Sequence, residues 1–310
     1  MKVAIIFFSP SGHTLKVAKM MEKTITNKDM QVQLLDITRN EKIFRENKID
    51  QYLKEKIEPH DLICVGGPVY AGHFEGNAKN IIKALPYPDK RWGKLAIPFV
   101  TYGGLHSTIA LKVAGNLFHK SKRINILGMK IAAFHTLTKT LEFKINENKP
   151  GKEALHVIEE LVERIIEVTN NDFSEIKDIR KSFDYTPFTS EKFGCRLLGQ
   201  KVLRKIMFLK GVEIDYDKCN GCGLCAERCP VNLYEMIDGK PQKTNPYFEC
   251  ICCAECYHNC PAKAISFDLT RPERHHLSPK SKHCKMESSQ SAVYPLQGAD
   301  LSNDKILEID

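Results

Sequence analysis

Two short stretches carry residues whose type and spacing suit metal chemistry. Cys219-Asn-Gly-Cys222-Gly-Leu-Cys225-Ala-Glu-Arg-Cys229-Pro230 is followed by Cys250-Ile-Cys-Cys253-Ala-Glu-Cys256-Tyr-His-Asn-Cys260-Pro261. Each has the spacing C-x2-C-x2-C-x3-C-P, which fits thiolate ligation of an iron–sulfur cube. Three thiolates on one tight loop can face three corners of a cube, while the fourth lies too far along the chain and reaches the other cube. The spacing predicts two [4Fe–4S] clusters with crossed ligands. Cys219, Cys222, Cys225 and Cys260 would hold the first, and Cys229, Cys250, Cys253 and Cys256 the second. Tetrahedral zinc sites show other spacings, usually with paired knuckles and often with histidine. Cys252 breaks the x2 spacing and is expected to be a bystander, Cys64 a core residue and Cys195 a helix-face residue.

The chain has 310 residues and is 42% hydrophobic, enough for two domains with real cores. No apolar run approaches the length of a membrane span. Met1-Lys2 leads straight into Val3–Phe8 without a small-residue cleavage site, so no secretory signal is expected. Clustered reduced thiols suit a reducing, cytoplasmic compartment and argue against a disulfide framework. The formal charge is +8 with every cysteine counted neutral. Two oxidised clusters of about −2 each and one flavin phosphate would lower it to roughly +2. The basic excess then offsets anionic cofactors, and no motif of a nucleic-acid reader is present.

Further elements are needed to position such groups. Lys2–Phe8 is a continuous apolar run, as in a strand buried on both faces of a parallel sheet. Gln31–Asp36, Asp61–Gly67, Leu95–Thr101 and Ile124–Ala133 read as further strands, the last broken at Gly128. Helical periodicity lies between them, at 15–25, 41–55, 76–85 and 107–119, and again at 154–166. Alternating strands and helices predict an α/β domain over residues 1–168. Pro98 conflicts with an interior strand because it lacks the N–H a ladder needs. Residues 169–210 read as a linker, polar to about Phe188 and then carrying a bridging helix over Lys192–Lys210. Residues 211–270 hold the cysteine runs, with a hairpin turn at Asp238-Gly239 and pairing of Gly211–Ile214 with Ile265–Phe267. Residues 271–310, with His275, His276, His283 and Cys284, read as a polar disordered tail.

Three loops follow strands at the end of the sheet where α/β folds bind ligands. In Ser9-Pro10-Ser11-Gly12-His13-Thr14, hydroxyls, a glycine and a helix N-terminus suit a phosphate without a basic side chain. No P-loop or Rossmann glycine pattern occurs. The other two loops are Pro68-Val69-Tyr70-Ala71-Gly72 and Thr101-Tyr102-Gly103-Gly104. The first loop is similar to the flavodoxin phosphate loop, T/S-x-T/S-G-x-T, and the other two look like the loops that flank an isoalloxazine. The whole chain, apart from the linker and tail, resembles the flavodoxin–ferredoxin fusion proteins of anaerobic microbes. The resemblance implies an α/β flavodoxin-like doubly wound parallel sheet plus a small α+β bacterial-type two-cluster ferredoxin domain. It also implies FMN, with Tyr102 as first choice and Tyr70 as second for stacking on the ring. Pro10 and His13 depart from the family pattern: Pro10 removes a loop donor, and His13 stands where asparagine is usual.

The combination is expected to transfer electrons between two [4Fe–4S] clusters and FMN, linking one-electron and two-electron redox partner proteins. The alternatives are a flavin-dependent reductase of a small molecule, with His106 as a proton donor, and a ferredoxin whose flavodoxin-like domain has lost its flavin. Oligomeric state is not legible in the sequence.

Overall fold

A computed structural model of the chain describes residues 1–104, 107–170, 176–185, 190–200, 202–203, 211–269 and 290–295. The first domain is built on β1 (Lys2–Phe7), whose side chains alternate between two cores. Val3, Ile5 and Phe7 enter one core, and Ala4 and Ile6, with Phe8 just beyond the strand, enter the other. A strand that feeds apolar groups to both faces must be interior, and β1 lies between β2 (Gln31–Asp36) and β3 (His60–Tyr70). β5 (Trp92–Tyr102) and β7 (Gly128–Ala132) continue the sheet, giving the parallel order β2-β1-β3-β5-β7. Counting only these five strands, that is the 2-1-3-4-5 order of flavodoxin-like doubly wound folds.

Helices cover both faces. α1 (His13–Thr26) and α6 (Lys152–Asn170) pack on the Val3 face. α4 (Gly76–Ala84) and α5 (Ala110–Lys120) pack on the Ala4 face. The helix expected over 41–55 is two, α2 (Glu41–Phe44) and α3 (Ile49–Lys56). Asn47, left-handed at φ 55, breaks it. Pro98 stays within β5, opposite the gap between the short strand β6 (Ile124–Asn125) and β7. The ladder there jumps by way of Ile126 N, which donates to Ala96 O, so the missing N–H falls where no paired strand asks for it.

The second domain contains a two-stranded sheet of Val212–Ile214 with Ile265–Phe267, and the hairpin Tyr234–Ile237/Lys240–Lys243. Asp238 and Gly239, both at positive φ, form the hairpin's turn. No helix among the described residues is long and apolar enough to cross a membrane.

Three stretches differ from the sequence reading. Part of the supposed linker is a packed element: Phe183 is fully buried against Gly115 and Gly128, and Ile179 N donates to Asn125 O. A polar stretch with one aromatic anchor carries no periodicity to reveal this. The bridging helix is represented by α7 (Ser190–Leu197), which ends before Leu198, whose carbonyl is hydrogen-bonded by His73 Nε2 (3.1 Å); residues 201 and 204–210 lie outside the described residues. Within the supposed disordered tail, Ala292–Tyr294 forms a strand antiparallel to β7, and Tyr294 stacks on Tyr185 (4.3 Å between centroids). It covers the sheet's open edge, a pairing decided by the partner strand and not by the tail's composition. His275, His276, His283 and Cys284 lie outside the described residues.

Phe183→Ala should destabilise the first domain by about 3–5 kcal/mol, the usual cost of emptying a buried aromatic site. Denaturant unfolding measures it. An unchanged midpoint would mean that residues 176–185 are a free linker.

Candidate functional site

The eight motif cysteines gather into two rings. Cys219, Cys222, Cys225 and Cys260 line one cavity, together with Ile214, Leu224, Pro241 and Ile265. Cys229, Cys250, Cys253 and Cys256 line another, with Val212, Val231, Leu233 and Tyr234. Each ring thus takes three cysteines from one run and one from the other. The two runs follow the same backbone path. Gly221 and Cys252 are left-handed (φ 71 and 60), as are Gly223 and Ala254 (φ 78 and 60) and Asn232 and Lys263 (φ 46 and 49). Leu233 N donates to Cys229 Sγ and Ala264 N to Cys260 Sγ, each at 3.3 Å. Cys252 therefore stands where the first run has glycine. It is buried in an apolar cluster with Phe267 and Leu269 and does not line the cavity.

The donor set fits a polynuclear cluster. Each ring lines a small cavity that is partly open to solvent. Among the described residues no three His, Cys, Asp or Glu side chains converge tightly enough for a single metal ion. Burial pushes the Cys253 thiol well up and Cys256 to about 12, with the neighbouring thiols adding to the rise. Four thiolates in such a place need a cationic centre among them, which iron supplies. Gly221 is required by close approach: a Cβ there would lie 2.4 Å from Gly239 O.

The three loops of the first domain meet at the carboxyl ends of β1, β3 and β5. Phe8 N donates to Gly66 O, Pro68 pairs with Thr101, and the Thr14 and Thr101 hydroxyls hydrogen-bond at 2.8 Å. Ser9 and Thr14 are buried; Ser9 Oγ accepts from Leu15 N (2.9 Å). Their hydroxyls hold the loop, and the half-buried Ser11 lies at its mouth. Gly12, exposed and at φ 81, begins α1 with no side-chain cap. Ser9 Oγ takes Leu15 N of the first turn, and the helix start at the exposed Gly12 is where an anion would be favoured. Burial, helped by Lys16, lowers the His13 pKa, so this ring is neutral near neutral pH. These residues fit the phosphate of FMN.

The loops around a flavin ring differ in detail from the sequence reading. β3 runs on to Tyr70 and turns at Ala71-Gly72 (φ 49 and 74) into the strand β4 (His73–Phe74), so Pro68–Tyr70 is strand. Thr101 and Tyr102 likewise belong to β5, with Gly103 and Gly104 after it. Tyr102 does not present its ring. Thr101 faces α1, so strand alternation turns Tyr102 to the other face. There it is 2% exposed, its hydroxyl donates to Gln290 O (2.9 Å), and Lys130 Nζ lies 5.5 Å from the ring centroid. Tyr70 is half-buried on the hairpin. Cys195 is buried behind the hairpin, with its thiol toward Ala71 O (3.7 Å). His106 lies outside the described residues. Thr38, whose Oγ1 accepts from Ser9 N (2.8 Å), and Phe134, edge-on to His13, join this site without any motif to mark them.

A flavodoxin-like domain is thus joined to one with two four-cysteine rings, and comparison with known proteins gives the same division. A family profile described as NADPH-dependent FMN reductase matches residues 1–133, and one described as 4Fe-4S binding domain matches residues 212–235. The ferredoxin of Thermococcus litoralis is 38% identical over 58 residues, 18% of this chain and 97% of the relative. Pyruvate synthase subunit PorD of Methanothermobacter marburgensis is 67% identical over 24 residues, 8% of this chain; the chain spans only 30% of that relative. A flavodoxin structure from the domain Archaea aligns at 20% identity and a TM-score of 0.37, covering 55% of this chain and 100% of that one. Through its C-terminal domain the chain belongs to the ferredoxin family, here fused behind a flavodoxin-like domain.

Cys229→Ser should damage the cluster of the Cys250 run and largely spare that of the Cys219 run. Iron content and the spectra of the remaining cluster report this; loss confined to the Cys219 run would refute the crossed rings. Gly12→Asp has room for its Cβ, which meets nothing within 4 Å, but strains the left-handed backbone at φ 81, so unfolding of the variant is measured alongside its flavin titration. It should weaken FMN binding at least about tenfold, since like charges about 4 Å apart repel by several kcal/mol even at an effective dielectric of about 20. An unchanged flavin titration would remove this loop as the phosphate site.

Proposed function

We propose that this redox protein is an internal electron relay, with two [4Fe–4S] clusters and one FMN linking one-electron and two-electron partners. FMN exchanges electrons singly or in pairs and each cluster exchanges one, which is the chemistry these groups supply when bound. The observation that carries the reading is the shared core. Cys229, Val231, Leu233, Tyr234 and Ile251 of the ferredoxin domain pack in one buried cluster with Phe8, Phe44 and Val65 of the flavodoxin-like domain. The chain's own work is to hold and to shield. Ser11, Gly12 and the start of α1 would take the phosphate, Pro68–Gly72 and Gly103-Gly104 would border the ring, and the two cysteine rings would take the clusters. Apolar walls of Val212, Val231, Leu233 and Ile251 would limit the water that reaches the second ring.

The family profile described as NADPH-dependent FMN reductase supports a second reading, in which the flavin reduces a small molecule. Substrate-dependent turnover separates it from the relay.

In an anaerobic stopped-flow experiment, rapid cluster reduction should be followed by flavin reduction at a rate independent of protein concentration, because both sites share one packed chain. A second-order rate would show that the domains serve separate partners.

A further inference from the structure

We infer that the two cysteine rings are not equivalent: the Cys229/Cys250/Cys253/Cys256 ring faces the flavin site, and Tyr70 is the positioning residue between them. This rests on the relay reading and adds a direction to it.

The first observation is where the domains touch. Arg39 N donates to Pro230 O (2.9 Å), and Asn232 Nδ2 donates to Arg39 O (3.1 Å). Asn245 Nδ2 donates to Phe44 O (2.7 Å), and Arg45 Nη2 donates to Tyr234 O (2.7 Å). Phe44 meets Phe248 edge-on, with centroids 5.0 Å apart. Pro230 and Tyr234 line the second ring's cavity. The first ring's Cys222 is exposed, whereas the second ring's Cys229 is buried in the core shared with the first domain.

The second observation is the place of Tyr70. It ends the β3 segment beside the flavin loops, and it packs at the border of the same core that Cys250 and Cys253 border. Tyr70 thus borders the candidate flavin loop and, with Cys250 and Cys253, the one core that the two domains share. Electronic coupling falls steeply with distance, so a cluster held by the ring beside Tyr70 would exchange electrons with bound FMN, and one held by the ring of Cys222 with soluble one-electron protein carriers. Two reduced carriers would each give up one electron, and FMN would take up both with two protons.

The test uses the full-length, anaerobically purified protein loaded with both clusters and FMN. Cys253→Ser and Cys222→Ser each remove or alter one ring, which iron analysis verifies. The flavin fluorescence lifetime of the oxidised protein is then compared. It should lengthen several-fold in Cys253→Ser, which removes a near quencher, and stay at the wild-type value in Cys222→Ser. Lengthening only in Cys222→Ser, or equally in both, would overturn the assignment. Failure of the wild type to retain any flavin would instead sink the relay reading itself. Should the Cys253 variant not fold, Tyr70→Ala serves: it should shift the electron paramagnetic resonance signal of one reduced cluster and slow flavin reduction several-fold, with Tyr70→Phe restoring both. An Ala variant identical to wild type in both would refute the role of Tyr70.

Discussion

An iron–sulfur cube has four corners, and one C-x2-C-x2-C loop reaches three of them. The rest of the second domain follows from that shortfall. Each run must lend its last cysteine to the other ring, so the two runs fold as paired copies around a common axis of contact. The copies repeat even in their strained positions, where Gly221 and Cys252, Gly223 and Ala254, and Asn232 and Lys263 share left-handed backbone. Glycine takes that conformation freely and other residues at some cost, a cost accepted where the loop must wrap a metal centre. Gly221 also clears the Gly239 carbonyl, whereas Cys252 turns its thiol into an apolar cluster away from the ring.

The same construction gives the domain interface its character. The segment after Cys229 must return beside its ring, and Pro230, Val231 and Leu233 thereby present a wall that the flavodoxin-like domain covers. Asn245 pins it. This buried side chain donates to Phe44 O, Val231 O and Asn232 O and accepts from Tyr247 N and Phe248 N. A buried amide with all its groups met fixes one docking geometry; an apolar contact alone would allow several. Arg45 adds a bond to Thr244 Oγ1 and a partly exposed ion pair with Glu235 at 3.0 Å. Exposed pairs of this kind contribute little to stability, so orientation is the larger effect.

Much of this was legible in the sequence because it is local. The apolar run of β1, the cysteine spacing, the Asp238-Gly239 turn and the Ser9–Thr14 loop each carry their reason within a dozen or so residues. What escaped depends on partners far along the chain. Tyr102 looked available beside its glycines, yet Thr101 bonding to Thr14 turns it to the face that Lys130 and Gln290 cover. Phe183 gave one apolar signal in a polar stretch, and its burial required two glycines, Gly115 and Gly128, that only the fold brings together. Ala292–Tyr294 became a strand because β7 offered an unpaired edge. Pro98 looked like a contradiction until the break in the neighbouring strand supplied a place for it.

The central claim is that the thiolates mix between runs and that one ring adjoins the first domain. Anomalous scattering at the iron edge, from crystals of anaerobically purified protein, tests it most directly. Crossed ligation requires two compact iron centres. One should be bounded by Cys219, Cys222, Cys225 and Cys260, and the other by Cys229, Cys250, Cys253 and Cys256, with the second nearer to Tyr70. A single centre, or two centres each enclosed by the four cysteines of one run, would contradict it.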